Sequence, residues 1–311
     1  MAGKVKKDGR DKKRNVREPK TDGREPKTDG REPKTDVREP KTDVREPKTD
    51  VREPKTDGRE AKTDGRKPKT DGLVKVTFLG SGNAFAPGRD WSGILLNDRI
   101  LLDCGPTVLP NLRAVDVDPG SIRGVFLSHL HADHTFGLPF MFLDSYFLTD
   151  RSEPLTIVGP AGSRKFLNKL DKMAYPDIDG ERKKRLPLNF IELDDQTTFG
   201  FGKVQAEAIP MAHGDQAAFG YRVKIGKKTI AYSGDTGMCR GLKDLVWDAD
   251  AVILEMSSPK FISKNHLCRQ DIETIAGWCF EGTKIILTHL SEVPSDMKGY
   301  VFARDLKTLW V

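Results

Sequence analysis

From Val16 to Asp71 the chain runs eight times through one seven-residue unit, [Val/Gly]-Arg-[Glu/Lys]-[Pro/Ala]-Lys-Thr-Asp. This limits what the chain can fold into more than any other feature. Each unit holds at most one valine and no aromatic residue, and seven of the eight contain a proline. A period of seven suits a coiled coil only with a second apolar position, and proline breaks helices. Such a segment buries too little apolar surface to offset its ordering entropy. Residues 1–72 are therefore expected to form a disordered basic tail. Residues 73–311 are long enough for one domain of ordinary size.

The tail also carries the charge. Residues 1–15 have seven basic and two acidic side chains, the first seven units are neutral, and Gly65–Asp71 carries +2. The tail thus accounts for all of the chain's net +6 and leaves residues 73–311 near −1. A folded part so close to neutral is not a strongly basic nucleic-acid surface. Met1–Asn15 could adhere weakly to polyanions, RNA, DNA or anionic lipid. A solvated linker grown by tandem duplication fits the composition better. No apolar run approaches the ~18 residues of a membrane span, so no membrane partner is expected. Met1–Asn15 lacks a signal peptide's apolar stretch, and its aspartates argue against a transit peptide. Four scattered cysteines, Cys104, Cys239, Cys268 and Cys279, suggest a reducing, cytoplasmic setting.

Within 73–311, Val74–Leu79 alternates polar and apolar side chains and predicts a strand ending at Gly80-Ser81-Gly82. Gly93–Leu96 and Ile100–Asp103 suggest a hairpin. Gly124–Ser128, Pro154–Val158, Phe190–Leu193, Val204–Ile209, Gly220–Ile225 and Thr229–Ser233 are further strand candidates. Ala251–Glu255 and Lys284–Thr288 are apolar runs of the buried type, and Ser163–Met173 and Arg269–Trp278 have helical spacing. Hairpins followed by alternating strands and helices predict an α+β chain with two mixed sheets face to face and helices outside.

The stretch Ser128-His129-Leu130-His131-Ala132-Asp133-His134 directly follows one of these strands. Three imidazoles and a carboxylate within six residues exceed what one tetrahedral metal takes, which points to two adjacent ions, zinc first. Residues two apart on extended chain share a side, so His129 and His131 can reach one ion. Asp133 and His134, past the turn, can reach the second. His213, Asp235 and His289 also follow apolar runs, and strand C-termini are where sites assemble. The donors sort into His129, His131 and His213 for one ion, Asp133, His134 and His289 for the other, and Asp235 as bridge.

With these residues in place the chain resembles the metallo-β-lactamase superfamily over essentially all of 73–311. Leu101-Leu-Asp103-Cys-Gly, Ser233-Gly-Asp235-Thr and Thr288-His289-Leu carry the likeness beside the histidine motif. The resemblance is strongest to the ribonuclease Z branch of zinc phosphodiesterases. It rests on Phe78-Leu-Gly-Ser-Gly-Asn83, His134-Thr-Phe-Gly-Leu-Pro139, Pro154-Leu-Thr-Ile-Val-Gly-Pro160, Leu254-Glu255 and Asn265-His266-Leu267. It implies a four-layer αββα sandwich and two Zn²⁺, with Mn²⁺ or Fe²⁺ as alternatives. It further implies hydrolysis of phosphodiesters, RNA or small cyclic or diester phosphates, by a metal-bridged hydroxide. Asp133 would orient or deprotonate the nucleophile as well as ligate. Glu255 and His266 would pair to shuttle a proton to the leaving oxygen.

The chain departs from that branch in one respect. Only 21 residues separate His213 from Asp235, leaving no room for the tRNA-gripping arm, and the branch's Arg-Asn loop reads Arg89-Asp90 here. Gly180-Glu-Arg-Lys-Lys-Arg185 is either a substitute phosphate-gripping surface or a solvated charge run. A lactonase or thioesterase on the same dimetal scaffold is the alternative activity, and a non-catalytic binder is a weaker one. Phe140-Met-Phe-Leu143 could serve a homodimer face or the core.

Overall fold

The computed structural model describes residues 72–149, 151 and 153–311. The expected disordered tail lies outside the described residues except for Gly72. The first sheet contains β1 (Lys75–Gly80), β2 (Gly93–Leu96), β3 (Ile100–Leu102), β4 (Gly124–Phe126), β5 (Leu155–Pro160) and β6 (Leu188–Leu193). The second contains β7 (Thr197–Phe201), β8 (Val204–His213), β9 (Gln216–Ile225), β10 (Lys228–Tyr232), β11 (Ala251–Glu255), β12 (Lys284–Thr288) and β13 (Val301–Phe302). The last strand, β14 (Lys307–Trp310), returns to the first sheet beside β1. The strand orders are β14-β1-β2-β3-β4-β5-β6 and β13-β12-β11-β10-β9-β8-β7. The helices are α1 (Val108–Ala114), α2 (Ala132–Thr135), α3 (Leu138–Phe147), α4 (Ser163–Ala174), α5 (Gly180–Lys183), α6 (Gly241–Val246) and α7 (Arg269–Ala276).

The strands are apolar on both faces because both faces are buried. Phe78, Ile94, Leu102 and Phe126 meet Tyr221, Ile230 and Ile253 between the sheets. Their neighbours Leu79, Leu95, Leu101 and Val125 point outward, where Val108, Leu112, Met141 and Leu167 of α1, α3 and α4 cover them. On the other side Ile209, Val252 and Leu254 pack against Leu242 and Leu245 of α6 and Ile272 of α7. Alternate residues of one strand thus enter different cores, as the pleat requires. The result is the αββα layering that the resemblance implied.

Three strands, β7, β13 and β14, were not evident from the sequence. All three lie at sheet edges, where pairing is one-sided and half-burial weakens the apolar pattern. Strands β8 and β9 are longer than expected and meet in a tight hairpin, with His213 paired to Gln216. Helix α3 is apolar on nearly every side, which hides its helical period in the sequence. Met141 and Phe142 lie in the core, whereas Phe140 is exposed.

Strands β3–β6 are mutually parallel, as are β10–β12, and β8 runs with β10 through the intervening antiparallel β9. Their C-terminal ends collect the chemistry: Asp103 after β3, His129 after β4, His213 ending β8, Asp235 after β10, Glu255 ending β11 and His289 after β12.

Candidate metal centre

All seven donors expected to hold metal converge. One ligand atom from each of His129, His131 and His213 lies within 4.8 Å of the others, and the same holds for Asp133, His134 and His289. The Nε2 atoms of His134 and His289 are 3.4 and 3.3 Å from Oδ1 of Asp235. Its other oxygen, Oδ2, lies 4.0 Å from Nε2 of His129. Asp235 thus turns one oxygen toward each triad. Nε2 of His213 approaches Nδ1 of His131 at 3.2 Å, and Oδ2 of Asp133 lies 3.4 Å from Nε2 of His289.

Local backbone makes this convergence possible. The turn after β4 is extended through His131, and α2 then starts at Ala132, which swings Asp133 and His134 to the far side. Gly234 has φ 58°, and a Cβ there would stand 2.4 Å from Cβ of Ser128. Only glycine lets Asp235 come this close beneath the histidine turn. His289 at φ 56° and Asp103 at φ 60° also occupy the left-handed region, which is strained for residues with a Cβ.

Nδ1 of five histidines is held. Ser128 Oγ donates to Asp103 (2.8 Å) and receives the His129 Nδ1 hydrogen (3.0 Å), while His134 Nδ1 donates to the same Asp103 oxygen (2.7 Å). Ser257 Oγ donates to Glu255 (3.0 Å) and receives the His289 Nδ1 hydrogen (2.9 Å), while His266 Nδ1 donates to Glu255 (2.9 Å). His213 Nδ1 donates to the carbonyl of Asn265 (3.0 Å). Two Ser–carboxylate relays, one in each sheet, therefore fix ring orientation and tautomer. Sequence reasoning gave Ser128, Ser257 and Tyr232 no role. Tyr232 donates to Asp103 at 2.7 Å. Ser257 stands two residues after Glu255, a same-side position on extended chain that could have exposed it.

The inward atoms lack partners. Nε2 of His129, Nε2 of His134 and Oδ1 of Asp235 are buried and make no hydrogen bond. Buried polar atoms are rarely left so, and a divalent cation among them would satisfy all three. Burial, then the neighbouring His134, holds His129 well below the usual imidazole range. Burial and His213 lower His131. Neutral imidazole is the ligating form. Burial opposes ionisation of Asp133 and Asp235, yet the neighbouring His134 and His289 hold both carboxyls below the usual range. His134 stays high despite burial because of Asp235 and Asp103. The lowered His129 and His131 and the ionised Asp133 and Asp235 suit zinc as they stand, and a cation would displace the proton that the two aspartates favour on His134.

His266 and Glu255, expected to pair, do pair. Glu255 is fully buried and also accepts from Thr236 N–H (3.1 Å) and Ser257 N–H (2.9 Å). Burial pulls His266 down, but the Glu255 hydrogen bond together with the charges of Glu255, Asp235 and Asp133 outweighs it, and the imidazole is raised above its ordinary value. A cavity of about 300 Å³ opens over the donors and is lined by His266, Asp133, Phe85 and Ile262 among others. The basic stretch Gly180–Arg185 does not line it. There Lys183 pairs with Asp171 at 2.5 Å, Arg182 lies over the Phe147 ring at 4.6 Å and Arg185 donates to the Tyr146 carbonyl. Arg89 and Asp90 also turn inward. Arg89 donates to Ser81 Oγ and the Ala303 carbonyl, and Asp90 accepts from Asn111.

Known proteins are similar to this chain in sequence and in fold. Ribonuclease BN of Escherichia coli O17:K52:H18 is 26% identical over 300 residues, spanning 76% of this chain and 95% of its own. Ribonuclease Z of Staphylococcus carnosus is 29% identical over 181 residues, 55% of this chain, and the chain spans only 57% of that relative's length. Among solved structures, the short form of human tRNase Z superposes with a TM-score of 0.60 at 24% identity, covering 76% of this chain and 98% of that one. The metallo-β-lactamase fold protein YhfI of Bacillus subtilis gives 0.61 at 22%, covering 77% and 100%. These likenesses establish the metallo-β-lactamase fold. The family model described as anti-Pycsar protein Apyc1 matches residues 74–299, a span that takes in β1 through β12 and all seven converging donors, and the chain belongs to that family.

Proposed function

We propose that this chain is a dinuclear zinc phosphodiesterase whose substrates are small cyclic or diester phosphates. The activity would reside in residues 73–311. The observation that carries the reading is the placement of Asp235, whose two carboxylate oxygens each face a separate triad of donors. His129, His131 and His213 would hold one ion and Asp133, His134 and His289 the other. Bound there, the ions would bring the pKa of a shared water toward neutrality and offset charge growing on the phosphoryl oxygens.

The remaining steps fall to the chain's own groups. Glu255 takes the Nδ1 hydrogen of His266, which leaves Nε2 as the atom that carries the exchangeable proton. The raised pKa favours the protonated ring, the form that a general acid for the leaving oxygen requires. Asp133, held ionised, would orient the attacking water in addition to ligating.

Small substrates are favoured by the surroundings. The 21 residues between His213 and Asp235 are spent on β9, β10 and their turns, so no arm projects to grip a large RNA. The cavity of about 300 Å³ sits at the small end of ligand pockets. The test is a substrate panel on the zinc-loaded full chain. Chelator-sensitive hydrolysis of bis(p-nitrophenyl) phosphate, with 3′,5′-cyclic nucleotides cleaved faster than precursor tRNA, is expected. Hydrolysis of lactones or thioesters with none of the diester would instead place the chain among the ester hydrolases of the same scaffold.

A further inference from the structure

Phe85 is 92% exposed, the most exposed of the large hydrophobic side chains among the described residues. A phenyl ring left in water contributes nothing to the core, so no packing in the free protein places it. The loop that carries it is nevertheless firmly held. Asn83 accepts from Phe85 N–H (3.0 Å) and donates to the Ser257 carbonyl (3.1 Å), tying the loop to the Glu255–His266 segment. Gly82 N–H donates to the Asp90 carbonyl at 2.8 Å. Asp305 accepts from Ser81 N–H and Asp90 N–H, each at 2.8 Å, and so clamps both stems. The ring therefore stands on a fixed platform, and it lines the cavity that contains Asp133, Asp235 and His266. Ile262, 57% exposed, contributes a second apolar side chain to the same cavity.

We infer that Phe85 is the stacking surface for the nucleobase of a bound nucleotide, with Ile262 as apolar partner. This assignment rests on the phosphodiesterase reading of the site and adds the group that the enzyme grips beyond the phosphate. A planar base covers the exposed ring face, and aromatic stacking tolerates any base because each has a π-face. The pinned loop lets the ring bind without the entropy cost of being ordered first.

The test is binding, which does not depend on turnover. Calorimetry on the zinc-loaded full chain would compare a nucleoside 5′-monophosphate with ribose 5-phosphate, which offers the same phosphate and sugar without a base. Wild type should bind the nucleotide roughly ten- to a hundredfold more tightly, the range that one base–aromatic stack supplies. Phe85→Ala should bind both alike, and Phe85→Trp should restore the preference. A wild-type protein with no preference for the base, or a Phe85→Ala variant that keeps it, would overturn the assignment. Hydrolysis of the base-free bis(p-nitrophenyl) phosphate, measured in parallel, reports on the phosphodiesterase reading separately.

Discussion

Replacing Asp103 by asparagine removes one atom's charge and should damage the site out of proportion. The carboxylate is fully buried and accepts from Ser128 N–H (2.7 Å) at one oxygen. The other oxygen accepts from Ser128 Oγ (2.8 Å), His134 Nδ1 (2.7 Å) and Tyr232 OH (2.7 Å). An amide offers one acceptor. With its oxygen facing the three donors, its NH₂ opposes Ser128 N–H, and flipping it opposes all three. The better orientation still loses one bond, sets two donors against each other and makes the rest neutral. Charge-assisted bonds contribute ~1.5–3 kcal/mol and neutral ones about 1, so the cost is on the order of 3–5 kcal/mol. At ~2–4 °C per kcal/mol for a domain of this size, the metal-free melting temperature should fall by about 10 °C. His134 also loses the acceptor that orients it, and such losses typically weaken metal binding ~10- to 100-fold. Thermal melts with chelator present and zinc competition against a chromogenic chelator measure the two effects. An Asp103→Asn protein with both values unchanged would refute the relay as described.

Three further outcomes are expected. His266→Ala should keep its full zinc content while turnover falls roughly 10²- to 10⁴-fold, the usual contribution of a general acid. Zinc lost from that variant, measured by metal analysis, would show His266 to be a ligand instead. Glu255→Gln removes the negative charge that helps to raise His266 and leaves at best a neutral acceptor for its Nδ1 hydrogen. Because the acid must be protonated, kcat falls as pH rises through its pKa, and that descending limb should move to lower pH. Asp250 accepts from Lys228 and from Thr229 N–H, and these outweigh burial to lower its pKa. Its contribution is present above the ordinary aspartate value near ~3.9 and is lost as pH falls through the lower folded value. Asp250→Asn should therefore lower the melting temperature slightly at pH 7, by less than ~1 kcal/mol for so open a pair, with the gap closing in acid.

Much of the site was legible before the fold was seen, for a physical reason. Donors at the ends of apolar runs must gather where parallel strands share a rim, so His213, Asp235 and His289 could be joined to the cluster at His129–His134. The two relays were less legible. Ser128, Tyr232 and Ser257 are ordinary strand-end polar residues, and only the meeting of the sheets brings them to Asp103 and Glu255. Gly180–Arg185 illustrates the opposite case. A run of cations suggests phosphate, yet Lys183 pairs with Asp171 and Arg185 donates to the Tyr146 carbonyl. Among the elements, edge strands escaped because half-burial weakens their period, and α3 because its apolar surface wraps around the helix.

Turnover of bis(p-nitrophenyl) phosphate against zinc bound per chain tests the central claim most directly. Apo-protein would be titrated with zinc while metal content and rate are recorded together. The account predicts two ions per chain and a rate that rises with occupancy to its maximum only when the second is bound. Full activity at one ion, or activity that survives complete metal removal, would contradict it.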